Sequence, residues 1–319
     1  MFFAPIPGDV TITDNPMLHI PDGFLSMPIA IFCWLVTLLV LAVAVRRART
    51  EFDERLAPLA GVMAAFIFAG QMINFPVAGG TSGHLVGAML AFVVLGPWLG
   101  LLAMTAVIVL QAILFQDGGL VVMGANILVM GIVPGMVGYG VYQWGKGKQT
   151  AVAGLAAWLS VMMAALITAI LLSFSGTTSL NLALPALLGV HALIGIGEAL
   201  ITVAALNFVL KTRPALLKRD SANRGSKWVV AGMAIALLVT LFAPLASSSP
   251  DGLEWVAQQQ GFIDAAQAAP YEILPDYILP FLGRTAMSTI LAGVVGVLLV
   301  GGITALVTRT VRRRSTVGN

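Results

Sequence analysis

The amino-acid sequence predicts an all-α, polytopic membrane protein with about nine transmembrane helices. Hydrophobic residues make up 59% of the 319-residue chain and charged residues only 10%, and the mean hydropathy is +0.96. Soluble domains carry about 25% charged residues, so this chain has too little charge to cover a surface that faces water. We therefore expect a lipid bilayer around most of the chain and no nucleic-acid partner.

Apolar runs predict the individual spans in order, because a bilayer core of about 30 Å needs roughly 17–25 apolar residues per helix. The third run is short, and Gly96-Pro97 separates it from the fourth. The predicted spans lie near 27–45, 57–75, 84–96, 98–115, 121–143, 151–173, 183–210, 228–246 and 286–308.

Basic residues predict the orientation, because short cytoplasmic loops of membrane proteins are enriched in Lys and Arg. With nine spans, four basic clusters fall on the same side and only Arg284 falls on the other. This parity predicts an N-terminus outside the cell and a cytoplasmic C-terminus, with the loops at 76–83, 116–120 and 247–285 facing outward. The clusters are Arg46, Arg47, Arg49 and Arg55; Lys146 and Lys148; Lys211, Arg213, Lys218, Arg219, Arg224 and Lys227; and Arg309, Arg312, Arg313 and Arg314.

Composition also divides the chain into parts. Residues 211–227 are polar, basic and interrupted by Pro and Gly, which is typical of a cytoplasmic linker. The linker separates a seven-helix domain, residues 17–210, from a two-helix module, residues 228–319. Residues 1–16 resemble neither a signal peptide nor a helix, and we interpret them as an extension that the mature chain lacks.

Three histidines, His19, His84 and His191, lie on the predicted outer side or near it. A single histidine near a membrane interface is commonly a polar anchor. Neutral imidazole, however, is a ligand suited to Ni, Co, Cu and Zn, whereas Mg and Ca prefer oxygen. Three histidines on one side of the membrane therefore indicate capture of a transition-metal ion from outside.

The segment Met17-Leu18-His19 offers further nitrogen ligands. If Met17 were the N-terminus, its amine, the following backbone amides and the His19 imidazole could form a square-planar set. Square-planar nitrogen ligation is typical of Ni(II) or Cu(II). Sixteen residues precede Met17 in this chain, so the site requires a start at Met17.

Two acids interrupt the apolar part of the chain, and neither has a clear catalytic partner. Asp117 lies in a Gly-rich turn, where it either caps the turn or belongs to the metal site; Glu198 is expected to make a structural hydrogen bond. The sequence has no metalloprotease His-Glu-x-x-His, no Gly-x-Ser-x-Gly and no nucleotide-binding P-loop. We therefore interpret the chain as a transport component, not an enzyme, with any ATP hydrolysis on other subunits.

Several long motifs resemble the substrate-capture subunit of energy-coupling-factor nickel and cobalt transporters (the CbiM/NikM type). The likeness covers about residues 17–210. The segment Ala246 to Trp255, which contains Pro250-Asp251-Gly252, is similar to the outer loop of the two-span accessory subunit, here fused to the same chain. The motifs are His19-Ile20-Pro21-Asp22-Gly23-Phe24-Leu25-Ser26, Gly70-Gln71-Met72-Ile73-Asn74-Phe75-Pro76, Gly80-Thr81-Ser82-Gly83-His84-Leu85, Asp117-Gly118-Gly119-Leu120, Gly124-Ala125-Asn126, Met130-Gly131 and His191 to Thr202.

The resemblance implies a site for one Ni(II) or Co(II) ion, carried as substrate, with no cofactor. Its ligands would be His19, His84 and, in a chain starting there, the Met17 amine and the Leu18 backbone. Asp22, Asn74, Asp117 and His191 would surround the ligands. The resemblance also implies a scaffold membrane subunit and two cytoplasmic ATPase subunits as partners, in the plasma membrane of a prokaryote.

Two other functions remain open at this point. A stand-alone secondary transporter or channel for divalent metal ions would need polar groups along a path through the membrane, and few acids lie there. A membrane metalloenzyme would need an open coordination position and a general base, for which only Asp22 and Asp117 are available. Nickel and cobalt are not distinguished by the residues, although the fused accessory module favours nickel by analogy.

Overall fold

The computed structural model describes residues 19–51, 56–145, 149–212 and 226–316, and most of these residues are helical. Residues 1–18, with Met17 and Leu18, and most of the predicted linker lie outside the described ranges. The α-helices are α1 (Met27–Glu51), α2 (Ala57–Gln71), α3 (Ala88–Leu95), α4 (Pro97–Leu110), α5 (Met123–Asn126), α6 (Val133–Trp144), α7 (Gln149–Phe174), α8 (Leu180–Thr212), α9 (Ser226–Thr240), α10 (Gly252–Gln260) and α11 (Ala286–Thr316). An antiparallel hairpin is formed by β1 (Phe75–Val77) and β2 (Thr81–Gly83), with Pro76 opposite Ser82.

Seven helical stretches among the described residues are long and apolar enough to cross a membrane. Their outer faces carry many exposed large hydrophobic side chains, as expected of helices that face lipid. The chain is therefore a multi-pass membrane protein. The stretches are Met27–Thr50, Pro97–Phe115, Met123–Trp144, Thr150–Phe174, Leu180–Lys211, Trp228–Leu245 and Ala286–Thr310.

The two remaining predicted spans are shorter in the structure. Helix α2 has 15 residues and α3 has 8, which gives lengths of about 22 Å and about 12 Å. Helix α3 alone cannot cross a hydrocarbon core of about 30 Å. The count of nine spans and the orientation of the termini therefore stay predictions.

Helix α3 is shorter than the predicted span at 84–96 for identifiable reasons. Before it, the backbone N–H groups of Val86 and Gly87 donate to the two carboxylate oxygens of Glu198 at 2.7 and 2.9 Å, so residues 84–87 are non-helical. After it, Gly96 has a φ of 84°, and the chain reverses into α4. The structural hydrogen bond expected of Glu198 is confirmed.

Two π-helical segments stand on either side of the Gly-rich turn at 117–122. One, Gln111–Phe115, ends α4, and the other, Ile127–Ile132, follows α5. Such segments shift the register of a helix and are frequent at functional sites. Here they flank Asp117 and Asn126, both of which point to the interior.

The C-terminal helices pack into the same bundle as the N-terminal ones. Helix α11 lies along α2, and α9 contacts α2 as well. At the α2–α11 contact a Cβ added to Gly61 would lie 2.5 Å from the carbonyl oxygen of Gly301, so the two backbones approach too closely for any side chain. Helix α2, which belongs to the first part of the chain, therefore forms much of the contact with the second part.

Residues 246–285, here called the covering segment, lie over one end of this bundle. The segment contains α10 and short 3₁₀ turns at Ile263–Ala265 and Pro275–Tyr277. Isolated bridges pair Asp22 with Gln267 and Ser82 with Asp251. The covering segment is thus hydrogen-bonded close to both predicted imidazole ligands, just after His19 and just before His84.

Candidate metal-binding site

His19 and His84, here called the imidazole pair, lie together under the covering segment. Their ring centroids are 6.0 Å apart, with an angle of 41° between the ring planes. The Nδ1 of His19 donates to Oδ1 of Asp117 at 2.6 Å. The Nε2 of His19 is buried and has no hydrogen-bond partner among the described residues. A buried nitrogen lone pair left in this way is suited to bind a metal ion.

The backbone next to His19 is held by Asn126. The N–H of Ile20 donates to Oδ1 of Asn126 at 3.0 Å, and Nδ2 of Asn126 donates back to the Ile20 carbonyl oxygen at 2.9 Å. The N–H of Gly119 donates to the same carbonyl at 3.0 Å. Gly118, with a φ of 98°, passes so close that an added Cβ would lie 2.8 Å from Cβ of His19. The turn therefore needs glycine where it passes His19.

Asp22 anchors the Gly-rich turn. Its carboxylate accepts from the backbone N–H groups of Leu120, Val121 and Val122 at 2.9–3.1 Å. An added Cβ on Gly119 would overlap the Asp22 carboxylate and backbone nitrogen. Asp22 was predicted to surround the metal ligands; in the structure its carboxylate contacts the turn that carries Asp117.

His84 follows β2, in the non-helical segment 84–87. Its Nδ1 donates to the carbonyl oxygen of Leu85 at 3.0 Å, which leaves the lone pair on Nε2. The segment is fixed by Glu198 and by Gln71, whose Nε2 donates to the Val86 carbonyl oxygen at 3.0 Å. His84 is therefore presented by backbone that is held immediately after it, at Val86 and Gly87.

The three histidines line one small cavity of about 70 Å³. Its lining comes from both parts of the chain and includes His19, His84, His191, Asn126, Asp251 and Gly252. The Nδ1 of His191 donates to the carbonyl oxygen of Leu187 at 2.8 Å, so its Nε2 carries the lone pair. An added Cβ on Gly252 would lie 2.9 Å from Cε1 of His191, so the covering segment touches this ring directly.

Asn74 is buried but does not line the cavity. Its backbone carbonyl oxygen accepts from the N–H of Ser247 at 2.8 Å, at the start of the covering segment. Asn74 therefore joins the start of the hairpin that leads to His84 to the covering segment. Its predicted place around the metal ligands is not tested by this contact.

The Asp117 carboxylate is the main charge beside the imidazole pair. Burial alone would raise its pKa, but His19, the hydroxyl of Tyr277 and His84 together hold the pKa below its ordinary value. Tyr277 donates to Oδ2 of Asp117 at 2.6 Å. A carboxylate that stays ionised keeps the proton of His19 on Nδ1 and strengthens Nε2 as a ligand.

Asp251 begins α10 and faces the cavity. Its carboxylate accepts from the N–H of Glu254 at 2.7 Å, which is the usual role of an N-cap. Burial raises the pKa of Asp251 to about 8, against the effect of the amide hydrogen bonds and with added repulsion from Glu254. Helix α10 therefore starts directly after Asp251.

The described residues supply only part of a metal coordination sphere. No group of three or more His, Cys, Asp or Glu side chains within the described ranges is arranged to hold a metal ion. Met17 and Leu18, the other predicted ligands, lie outside those ranges. Asn126 and Tyr277 were not predicted as site residues; Asn126 stands in a quoted motif, whereas nothing in the sequence near Tyr277 indicates its contact with Asp117.

Comparison with known proteins agrees with both parts of this architecture. Residues 19–216 match the CbiM family, described as the cobalt uptake substrate-specific transmembrane region, and residues 226–313 match the PDGLE domain. The chain is 36% identical over 301 residues to the putative fused nickel transport protein NikMN of Archaeoglobus fulgidus, covering 92% of this chain and 99% of that protein. It is 35% identical over 263 residues to the probable fused nickel transport protein LarMN of Lactiplantibacillus plantarum, covering 76% and 79%.

A solved structure is also similar to this chain in sequence and in fold. A crystal structure of a transition metal transporter, 32% identical in sequence, superposes with a TM-score of 0.58 and covers 65% of this chain and 100% of that one. The long apolar helices and the imidazole pair under the covering segment, together with these relatives, define a multi-pass membrane protein of the metal-transport class. The chain belongs to the CbiM family and carries a PDGLE domain in the same polypeptide. The resemblance predicted from the motifs is confirmed for both parts.

Proposed function

We propose that this protein captures Ni(II) or Co(II) at the imidazole pair, as the substrate-binding component of an ATP-driven energy-coupling-factor importer. The main support is the buried, unpartnered Nε2 of His19 beside the ring of His84. A metal–imidazole bond is about 2.0–2.1 Å long, so two rings sharing one ion have centroids at most about 6.4 Å apart. The observed 6.0 Å fits one ion between the rings.

The remaining donors come from the chain before His19. Two imidazoles leave a four-coordinate ion two donors short. In a chain beginning at Met17, the terminal amine and the Leu18 backbone nitrogen are the nearest candidates. A chelate that also used the His19 backbone nitrogen would have to close on Nδ1, which donates to Asp117 here. The geometry therefore favours ligation through Nε2 of His19, with Asp117 orienting the ring.

Nickel is the proposed substrate, with cobalt as the second candidate. The family description names cobalt, but the two relatives described above, which align with both parts of this chain, are named as nickel transport proteins, and so is a third such relative. The proposed ligands, two imidazoles with the Met17 amine and the Leu18 backbone nitrogen, are all nitrogen donors. This set also favours nickel, because square-planar nitrogen sets suit Ni(II). Competition between the two ions for the purified protein tests the choice.

The assembly around the capture subunit is part of the same proposal. We assign residues 17–210 to metal capture, 211–227 to a cytoplasmic linker and 228–319 to an accessory module, in the plasma membrane of a prokaryote. Nine spans would put the covering segment outside the cell, where metal arrives. A scaffold membrane subunit and two ATPase subunits would supply the energy. Nickel uptake by cells that express the chain with and without these subunits separates this scheme from a stand-alone transporter.

The direct test is metal binding by the purified protein in detergent. We expect isothermal titration calorimetry to show tight binding of Ni(II) at one site, and His84→Ala to abolish it without loss of helical circular dichroism. Gln143→Ala, on the exposed part of α6, serves as the control. Tight binding retained by His84→Ala would remove His84 from the site.

A further inference from the structure

Tyr277, in the covering segment, is connected to the imidazole pair through the buried Asp117. Its hydroxyl donates to Oδ2 of Asp117 at 2.6 Å, and Nδ1 of His19 donates to Oδ1 at 2.6 Å. Nε2 of Gln111 donates to the same phenol oxygen at 3.1 Å. A continuous chain of hydrogen bonds therefore runs from the part that matches the PDGLE domain to the metal site of the other part.

Packing holds the Tyr277 ring in this position. The ring is stacked on Phe115, with centroids 4.6 Å apart and an interplanar angle of 17°, and its centroid lies 6.0 Å from that of Phe68. Tyr277 is 8% exposed and Gln111 is fully buried. The hydroxyl therefore has little freedom to turn to another acceptor.

The backbone at Tyr277 is also unusual. Asp276 and Tyr277 have φ values of 57° and 60°, in the left-handed region that residues with a side chain rarely adopt. Two such residues in succession persist only where the surrounding contacts compensate. The turn directs the Tyr277 side chain inward, onto Asp117.

We propose that Tyr277 is a positioning residue for metal capture, an inference that rests on the proposed function. With both oxygens held, the Asp117 carboxylate cannot rotate, so it keeps the His19 ring oriented with Nε2 toward the cavity. Without the phenol, one oxygen has lost its donor, and the carboxylate can turn away from His19. The accessory part of the chain thus shapes the metal site without touching the metal.

Tyr277→Phe tests the hydroxyl alone, because it keeps the stacked ring. We expect the dissociation constant for Ni(II) to rise about 10-fold, the lower end of what partners of metal ligands contribute. We also expect a shift of the absorption bands of the bound Ni(II), because the His19 ligand is reoriented. Loss of stability alone would not shift these bands.

A second variant separates positioning from stability. Tyr277→Phe leaves Gln111 without its acceptor, which costs stability, whereas removing both partners with Gln111→Met and Tyr277→Phe is closer to neutral. Tyr139→Phe is the matched control, because that hydroxyl accepts from Nε2 of Gln143 at 2.6 Å and lies outside the cavity. We expect the double variant to show the same weakened binding and shifted bands as Tyr277→Phe, and the control to match the wild type.

Each outcome decides between the alternatives. Wild-type affinity and bands in Tyr277→Phe, or their recovery in the double variant, would overturn the positioning role and leave the capture function intact. A wild-type chain that binds neither Ni(II) nor Co(II) would overturn the proposed function, and this inference with it.

Discussion

The backbone N–H of Ser82 donates to the carbonyl oxygen of Pro250 at 2.8 Å. The Ser82 hydroxyl donates to the neighbouring Ser249 carbonyl oxygen, also at 2.8 Å, and Ser82 is fully buried. Because His84 follows two residues later, the covering segment holds the strand that leads to one half of the imidazole pair. The segment therefore closes the site and also helps to form it.

Deleting residues 250–276 should leave a folded, membrane-inserted protein that imports nickel poorly. The deletion removes Asp251 and Gly252 from the cavity wall, and it removes the carbonyl acceptor of the Ser82 backbone N–H. It spares the seven long apolar helices found among the described residues. Uptake of radioactive nickel by cells, with the protein level in membranes measured in parallel, checks this. Unimpaired uptake would reduce the segment to a connector between helices.

Asp117→Asn should weaken Ni(II) binding by about 10- to 100-fold, the range typical for carboxylates that orient a ligating histidine. Asparagine keeps the size of the side chain but removes the charge and one acceptor for the donors from His19 and Tyr277. Asp264→Asn, at an exposed position in the covering segment, is the matched control. Equal affinities for the two variants, measured by calorimetry, would contradict the role of Asp117.

Gly119→Ala should destabilise the protein by about 1–3 kcal/mol, because the added methyl group overlaps Asp22 and must displace the turn. Gly140→Ala, on α6, has open space for its methyl group and should keep or slightly raise the stability. Thermal unfolding in detergent measures both. A Gly119→Ala variant as stable as Gly140→Ala would show that the turn adjusts without cost.

The raised pKa of Asp251 predicts a pH dependence of stability. Its pKa is about 8 in the folded protein against 3.8 for an ordinary aspartate, so the folded state binds more protons than the unfolded chain between those values. Stability contributed by this group is therefore present below about pH 4 and is lost as the pH rises to about 8. Asp117, whose pKa is lowered, acts in the opposite sense and only at more acidic pH.

Asp251→Asn should remove that dependence, because asparagine caps a helix about as well but does not titrate. Relative to wild type, the variant should gain at least about 1 kcal/mol between pH 5 and pH 8, since one pKa unit corresponds to about 1.36 kcal/mol. Thermal unfolding of the metal-free proteins across this range is the measurement. Parallel curves for the two proteins would mean that Asp251 is ionised throughout.

A chain shortened to begin at Met17 should bind Ni(II) at least as tightly as the full chain, because it offers a free amine next to Leu18 and His19. An amide nitrogen at Met17 is a far weaker ligand than that amine. Calorimetry on the two chains measures the difference, and intact mass of protein from its native host shows which one is made. Full metal occupancy in a protein that retains Met1 would require other ligands, with Asp22 and His191 the first to test.

Apolar length predicted the long helices well, because a span of 18 or more apolar residues has few alternatives to crossing a bilayer. It overestimated the span at 84–96, where Glu198 binds the Val86 and Gly87 amides from 111 to 112 residues away. The local sequence near residue 86 does not indicate that contact with Glu198. The length of a short helix is thus decided by a partner that the local sequence does not contain.

Only some residues of the candidate site could be predicted from the sequence. His19 and His84 stood out because histidine is rare in this chain and because both lie in long motifs. Asn126 and Tyr277 act through hydrogen bonds to residues 106 and 160 positions away, so their roles depend on the tertiary fold. Asp22 was predicted beside the metal ligands because it is an acid close to His19, whereas in the fold its carboxylate accepts from the backbone of the turn at 120–122.

The close contact of Gly61 with Gly301 has a consequence for how the protein is made. Helix α2 is synthesised early, and α11, which lies along it, comes much later in the chain. Until α11 is inserted, Gly61 lacks the backbone neighbour that it has in the folded protein. The packing of α2 against α11 therefore forms late in biogenesis, after the C-terminal helix has been inserted.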